Sequence, residues 1–159
     1  MTDRFSQLLE KLEFYSVADK SEATEEAIHN FEAELGQSLP DDYREFLRHH
    51  GKTAASGLAF PDPDQPGRPG GGVGVFYGLR ADGEYDLKSE WEGMKDRVPP
   101  GLLPIADSPG GLICLSLSGK KRGSILWWAA EDSRAADEDP YLVAPSFTDF
   151  LNSLYICES

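Results

Sequence analysis

The sequence is poor in the residues that give small or secreted folds covalent links. It has only two cysteines, Cys114 and Cys157, which are too few for a disulfide framework. A chain of 159 residues can bury about two-thirds of its unfolded surface, so it needs neither a disulfide nor a metal to fold. We therefore expect two reduced thiols and a single domain over residues 1–159.

Long apolar runs are also missing. No segment approaches the roughly 18 consecutive apolar residues of a transmembrane helix. The segment after Met1 lacks the basic stretch and apolar run of a secretory signal. These two absences predict a cytoplasmic protein without a membrane partner.

Positive charge is scarce. The chain has 15 basic and 28 acidic side chains, for a net charge of −13. Residues 1–50 carry 12 acids and 5 bases, residues 51–130 carry 9 of each, and residues 131–159 carry 7 acids and 1 base. Such a field repels nucleic acid and attracts basic proteins. We therefore expect a protein partner and no direct contact with nucleic acid.

The familiar signatures of catalysis and of ligand binding are absent. His29, His49 and His50 lack the i,i+4 spacing of a helical zinc site. The glycine-rich residues 70–74 do not join a strand to a helix, as a phosphate-binding loop requires. We predict no catalytic residue, no metal and no cofactor. A hydrolase that uses a carboxylate pair stays open, because acidic residues are abundant.

Apolar spacing predicts helices in the first half of the chain. Residues 5–12 have helical periodicity and predict a first helix. Asp19 and Glu22 form a capping-box pattern for the second helix, and Gly36 is placed to end it. Pro40 is predicted as the first residue of a third helix.

The proline- and glycine-rich residues 61–72 predict a long loop that can join neither a helix nor a sheet. Beyond it the pattern predicts strands near residues 73–79, 102–106, 113–117, 124–129 and 141–144, a short helix at 85–95, a turn at 107–111, and a final helix from Ser146 whose apolar stripe includes Tyr155. This order predicts an α+β fold, with N-terminal helices packed on a mainly antiparallel sheet and a closing C-terminal helix.

The C-terminal part contains a candidate docking segment for a basic protein. Its acids are Glu131, Asp132, Asp137, Glu138 and Asp139, and Trp127 and Trp128 precede them as candidate aromatic anchors. Two alternatives remain: the acidic run is a solvated loop, and Trp128 is a core residue. If Trp128 faces the core, Trp127 faces outward, because neighbours on a strand alternate.

Four segments together resemble the SUKH superfamily over residues 22–155. They are Ile28 to Leu47 with its Leu39-Pro40-x-Asp42-Tyr43 centre, Leu103-Pro104-Ile105-Ala106 followed by Ile113-Cys114-Leu115, Gly123-Ser124-Ile125, and Ala144-Pro145-Ser146-Phe147-x-x-Phe150-Leu151. The chain departs from the family where it has Leu112, Ala129 and Ala130 in place of frequent acids or amides. The 61–72 segment also looks particular to this chain.

The resemblance implies an α+β domain without a catalytic centre. Its bacterial members are largely cytoplasmic immunity proteins that neutralise a cognate toxin domain of a polymorphic toxin system, often a nuclease. The resemblance therefore predicts a non-enzymatic immunity protein that binds a toxin domain, and the acidic charge predicts that this toxin is basic. We expect a monomer or a weak dimer. The alternative is a scaffold or regulatory module outside any toxin system.

Overall fold

The computed structural model describes residues 5–16, 23–50, 52–55, 57–61, 69–79, 86–94, 96–98, 101–109, 111–128 and 141–156. The helices are α1 (Ser6–Lys11), α2 (Glu25–Leu35), α3 (Asp41–His49), α4 (Leu87–Met94) and α5 (Phe147–Ser153). The strands are β1 (Tyr15–Ser16), β2 (Thr53–Ala54), β3 (Leu58–Pro61), β4 (Pro69–Gly72), β5 (Leu102–Ser108), β6 (Gly111–Ser116), β7 (Ile125–Trp128), β8 (Tyr141–Ala144) and β9 (Tyr155–Ile156).

The strands form two antiparallel sheets. The main sheet has the order β5–β6–β7–β8. The pair β1–β2 joins it through Phe76, which bridges Thr53 of β2 to Ala106 of β5. The second sheet has β3 in its centre, between β4 and β9.

Aromatic rings hold the helices to the main sheet. The ring of Phe46 on α3 lies 5.1 Å from that of Phe147 on α5 and 5.4 Å from that of Phe76. Phe5, at the start of α1, packs edge-on against Phe147 at 5.8 Å. All four side chains are at most 2% exposed. The predicted α+β fold, with N-terminal helices and a closing helix on a mainly antiparallel sheet, is confirmed.

The predicted start of α2 is wrong. The helix begins at Glu25, and its cap is Thr24, whose Oγ1 accepts a hydrogen bond from Ala27 N at 3.0 Å. Asp19 and Glu22, the predicted capping pair, lie outside the described residues. Threonine is among the preferred N-cap residues, because its hydroxyl oxygen can accept a bond from a free N–H of the first turn.

Two other helix boundaries follow the sequence closely. Gly36 ends α2 with φ 75°, the left-handed conformation that a side chain would disfavour. Pro40 lies directly before α3, whose first helical residue is Asp41. The predicted start of α3 is therefore one residue too early.

The prediction that residues 61–72 cannot join a sheet is wrong at both ends of the segment. Pro61 ends β3, and Pro69 to Gly72 form β4, which pairs with β3. Because β4 is an edge strand, a proline there need not donate to a neighbour on its open side. Residues 62–68 lie outside the described residues.

The C-terminal elements are confirmed except at their end. Ser146 caps α5 by accepting a hydrogen bond from Asp149 N at 3.0 Å, and β8 has the predicted bounds. Leu154 is extended (φ −66°, ψ 147°), which ends the helix. Tyr155 therefore belongs to β9 rather than to the predicted helical stripe.

Both faces of the main sheet are covered at β6, because all of its residues are buried. Ile113 and Leu115 belong to the main core, while Cys114 lies in a smaller cluster with Val98 and Trp128. Burial raises the pKa of the Cys114 thiol to about 12. Successive side chains of this strand therefore alternate between two buried apolar clusters, and neither face of the strand is exposed to solvent.

Candidate functional site

Trp127 and Trp128 point to opposite faces of β7, as the strand geometry predicts. Trp128 is 1% exposed and packs with Val98, Leu112 and Cys114 in the smaller cluster. A side chain buried to this extent has no surface to offer a partner. Trp128 is therefore a core residue, which is one of the two alternatives that the sequence left open.

Trp127 is half-buried and anchors the β5–β6 turn. Its Nε1 donates a hydrogen bond to Ser108 Oγ at 3.0 Å, and Ser108 Oγ donates to Gly72 O at 2.6 Å. A Cβ on Gly111 would lie 2.7 Å from the indole, so the absence of a side chain there makes room for the ring. Trp127 is not an outward-facing side chain, because the second face of the sheet is also covered.

The five acids predicted for docking, Glu131, Asp132, Asp137, Glu138 and Asp139, lie outside the described residues. The described residues on either side of this segment are close to one another. Trp127 pairs with Tyr141 across β7 and β8, and Trp128 pairs with Leu112 at the start of β6. The chain therefore leaves and rejoins the sheet at the end that carries the β5–β6 turn.

An open cleft of about 440 Å³ lies at this same end of the sheet. Its lining includes Glu90 and Met94 from α4, Asp107 and Ser108 from β5, and Gly111 and Leu112 from β6. Two carboxylates thus face a cleft whose other contacts include apolar side chains. One of them is held in place, because Asp107 Oδ1 accepts a hydrogen bond from Val75 N at 2.5 Å.

The electrostatic environment of the cleft is negative. The pKa of Glu90 is raised, first by burial and then by the charges of Asp107 and Asp86. Within the part of the chain that the structure describes, only burial and like charges act on this carboxylate. A Lys or Arg side chain entering the cleft would supply a compensating positive charge.

The sequence does not indicate that Glu90 and Asp107 lie in one cleft. The turn at 107–111 and the helix around Trp91 were both predicted, but nothing in the sequence brings them together. The only available signal was the Asp in the turn motif Asp107-Ser108-Pro109-Gly110-Gly111, which was assigned to turn formation.

The N-terminal helices, where much of the acidic charge is concentrated, pair part of that charge internally. Glu25 lies 3.3 Å from Arg44 and 3.0 Å from Arg48, and Glu32 lies 3.4 Å from Arg44. Asp42 is occupied by hydrogen bonds to α5. The three ion pairs leave less free negative charge on α2 and α3 than their composition suggests.

The histidines and acids of the described segments do not group around a metal-sized space. His49 ends α3 and His50 follows it as the C-terminal cap. Among the helices described, none has the length and apolarity to cross a membrane.

Comparison with known proteins defines the family. Residues 22–153 match the SMI1 / KNR4 family (SUKH-1). A relative from Bacillus subtilis (strain 168), the SPbeta prophage-derived uncharacterized protein YokK, is 31% identical over 147 residues, covering 82% of this chain and 74% of the relative. The chain belongs to the SMI1 / KNR4 family (SUKH-1), and the predicted superfamily resemblance is confirmed.

Proposed function

We propose that this chain is a non-enzymatic immunity protein that binds and neutralises a cognate, basic, nuclease-type toxin domain in the bacterial cytoplasm. The observation that carries the proposal is the cleft at the sheet end, where Glu90 and Asp107 lie together. Family membership supports it, because SUKH domains are generally binding domains without catalytic activity.

The proposed docking surface combines this cleft with the acidic segment that follows β7. Its acids are Glu90, Asp107, Glu131, Asp132, Asp137, Glu138 and Asp139. Trp127 holds the β5–β6 turn beside the cleft through its hydrogen bond to Ser108, and Trp128 packs against Leu112 of the lining. The surface adds the five acids predicted from the sequence to the two that the fold brings to the cleft.

Charge is the reason to expect a nuclease-type partner. Nucleases are commonly basic because they bind phosphate, and carboxylates can occupy the positions that phosphates would take. The net charge of −13 attracts such a partner over long distances. Apolar contacts from Met94 and Leu112 in the cleft would then complement the charged pairs.

The test is rescue of growth by co-expression with a toxin encoded next to this gene. Cells expressing the toxin alone should stop growing, and cells that also express this chain should grow. A soluble product that fails to rescue them would contradict the proposal. The scaffold alternative would be favoured by a different set of results. The chain would restore growth under an unrelated stress, no toxin gene would lie nearby, and a regulatory protein would be recovered as its partner.

A matched pair of charge reversals locates the surface. Glu90→Lys should weaken toxin binding strongly, because it places a cation in a cleft that receives one. Glu26→Lys makes the same change in net charge on the exposed face of α2 and should have little effect. Equal losses in the two variants would show that overall charge, and not this cleft, governs binding.

A further inference from the structure

A second, smaller pocket lies between α2 and the start of α4. Its volume is about 250 Å³, below the roughly 300 Å³ at which pockets begin to hold drug-sized ligands. The lining includes apolar Ala27, Phe31 and Leu79 and charged Glu34, Asp86 and Lys88. This size fits one side chain or a comparable small group.

The most informative residue of this pocket is Asp86, which is 1% exposed. Its Oδ2 accepts hydrogen bonds from the N and the Oγ of Ser89, both at 3.0 Å, and so caps α4. Its Oδ1 is buried and has no hydrogen-bond partner in the part of the chain that the structure describes. A buried carboxylate oxygen without a donor is costly, so the position favours a ligand that donates.

Lys88, which lines the pocket, is already engaged. Lys88 Nζ lies 3.2 Å from Glu34 Oε1, and these two side chains are 39% and 44% exposed. Because Glu34 and Lys88 balance each other, Asp86 leaves the described lining residues with one net negative charge. The pocket is therefore complementary to a single positive group.

The walls select the shape of that group. Phe31 is 1% exposed and is fixed edge-on against Trp91 at 5.7 Å, which gives a rigid aromatic wall. Ala27 and Leu79 add aliphatic surface. A guanidinium is planar, packs on aromatic rings and has several donors for the carboxylates of Asp86 and Glu34, whereas an ammonium is a compact, strongly hydrated charge.

We propose that this pocket binds the guanidinium of an arginine side chain presented by the protein partner. The arginine stem lies along Ala27 and Leu79, and its head donates to Asp86 Oδ1. The inference rests on the proposed function in one respect only, namely that the arginine belongs to a protein that the chain binds. The pocket itself can be tested without the partner.

The test titrates the isotope-labelled protein with N-acetyl-arginine amide as the probe. The measurement is the NMR chemical shift of each backbone amide. N-acetyl-citrulline amide is the control, because it has nearly the same shape and no charge. We expect saturable shifts at Asp86, Leu87 and Glu34 with the arginine derivative and none with citrulline. Equal shifts with both compounds, or no saturable shift at these residues, would overturn the proposal.

Two substitutions in this region carry the same change of net charge. Asp86→Asn keeps a capping oxygen for α4 but removes the carboxylate, so probe affinity should fall at least about tenfold, as for a buried charge pair. Glu92→Gln removes an exposed acid of α4 outside the pocket and should leave the affinity unchanged. Unchanged affinity in Asp86→Asn would overturn the proposal. If that variant does not fold, Glu34→Gln takes its place with the same expected direction.

The pocket and the immunity function can fail separately. Arginine binding that depends on Asp86, in a protein that fails to neutralise any adjacent toxin, would leave the pocket in place and overturn the function. Neutralisation by a protein that does not bind the arginine probe would overturn the pocket proposal and leave the immunity function in place. With the toxin in hand, Asp86→Asn should weaken the complex and Glu92→Gln should not.

Discussion

Asp42 and Thr148 join α3 to α5. Asp42 Oδ2 accepts hydrogen bonds from both the N and the Oγ1 of Thr148, each at 2.9 Å. Asp42 Oδ1 also lies 2.8 Å from Tyr43 N in its own helix. One carboxylate thus satisfies donors at the start of two helices, although Asp42 and Thr148 are 106 residues apart in the sequence.

Asp42→Ala should therefore destabilise the protein by about 2–4 kcal/mol, because it removes charge-assisted hydrogen bonds and leaves the Thr148 N–H without its acceptor. Asp41→Ala is the matched control, since Asp41 lies in the same helical turn but is exposed. It should cost less than about 1 kcal/mol. Urea unfolding measures both values, and similar losses in the two variants would contradict the inter-helix role.

Glu90→Gln should stabilise the isolated protein at neutral pH. The pKa of Glu90 is raised above its ordinary value of 4.5, so the folded chain holds this proton more tightly than the unfolded chain does. The free energy of unfolding then falls as pH rises from about 4.5 through the raised pKa. The variant lacks this loss, so its Tm should exceed that of the wild type at pH 7 and match it in acid. Glu92→Gln, exposed on the same helix, should show no such difference.

The two substitutions of Trp128 should differ widely. Trp128→Ala opens a cavity in the smaller cluster and should cost about 3–5 kcal/mol. Trp128→Phe should cost only about 1 kcal/mol. It loses some packing, but it removes an indole N–H that is buried without a partner among the described residues, which offsets part of that loss. Chemical unfolding distinguishes the two values. A phenylalanine variant as unstable as the alanine variant would show that the N–H is satisfied.

Two glycines should respond to alanine in opposite directions. A Cβ on Gly74 would collide with the carboxylate of Asp107, so Gly74→Ala should destabilise by about 1–3 kcal/mol. A Cβ on Gly93, inside α4, meets nothing within 4 Å, so Gly93→Ala should stabilise by about 0.5–1 kcal/mol. Thermal unfolding gives both signs. A neutral Gly74→Ala would mean that Asp107 moves without loss.

Association with the proposed partner should slow sharply as salt rises. Charge steering acts over a Debye length of about 10 Å at 0.1 M salt and is screened beyond it. Stopped-flow association rates between low and high salt provide the measurement, with dissociation rates as the internal control. An association rate that does not change with salt would remove the steering argument.

The local elements of the fold could be predicted because their causes are local. Gly36 and Ser146 act through the adjacent backbone, and the apolar stripe of α5 is visible in the spacing of Phe147 and Phe150. Pro69 to Gly72 form a strand for a reason that is not local. The edge of the second sheet supplies a partner in β3 and tolerates the proline.

The candidate site was only half visible in the sequence. The acidic run after Trp128 stands out by composition alone. The contribution of Glu90 and Asp107 depends on how α4 packs beside β5, and no spacing rule links residues on a helix to those on a later strand. Asp86 shows the same limit, because its sequence context explains the helix cap but not the unpaired oxygen.

The pairing of Trp127 with Tyr141 has an evolutionary consequence. The sheet fixes Trp127 and Tyr141 side by side, so the closure entropy of a connection between them grows only slowly with its length. We therefore expect changes in the length of residues 129–140 to cost little in closure entropy. A grafted segment from a homologue would be the direct way to ask whether recognition travels with it.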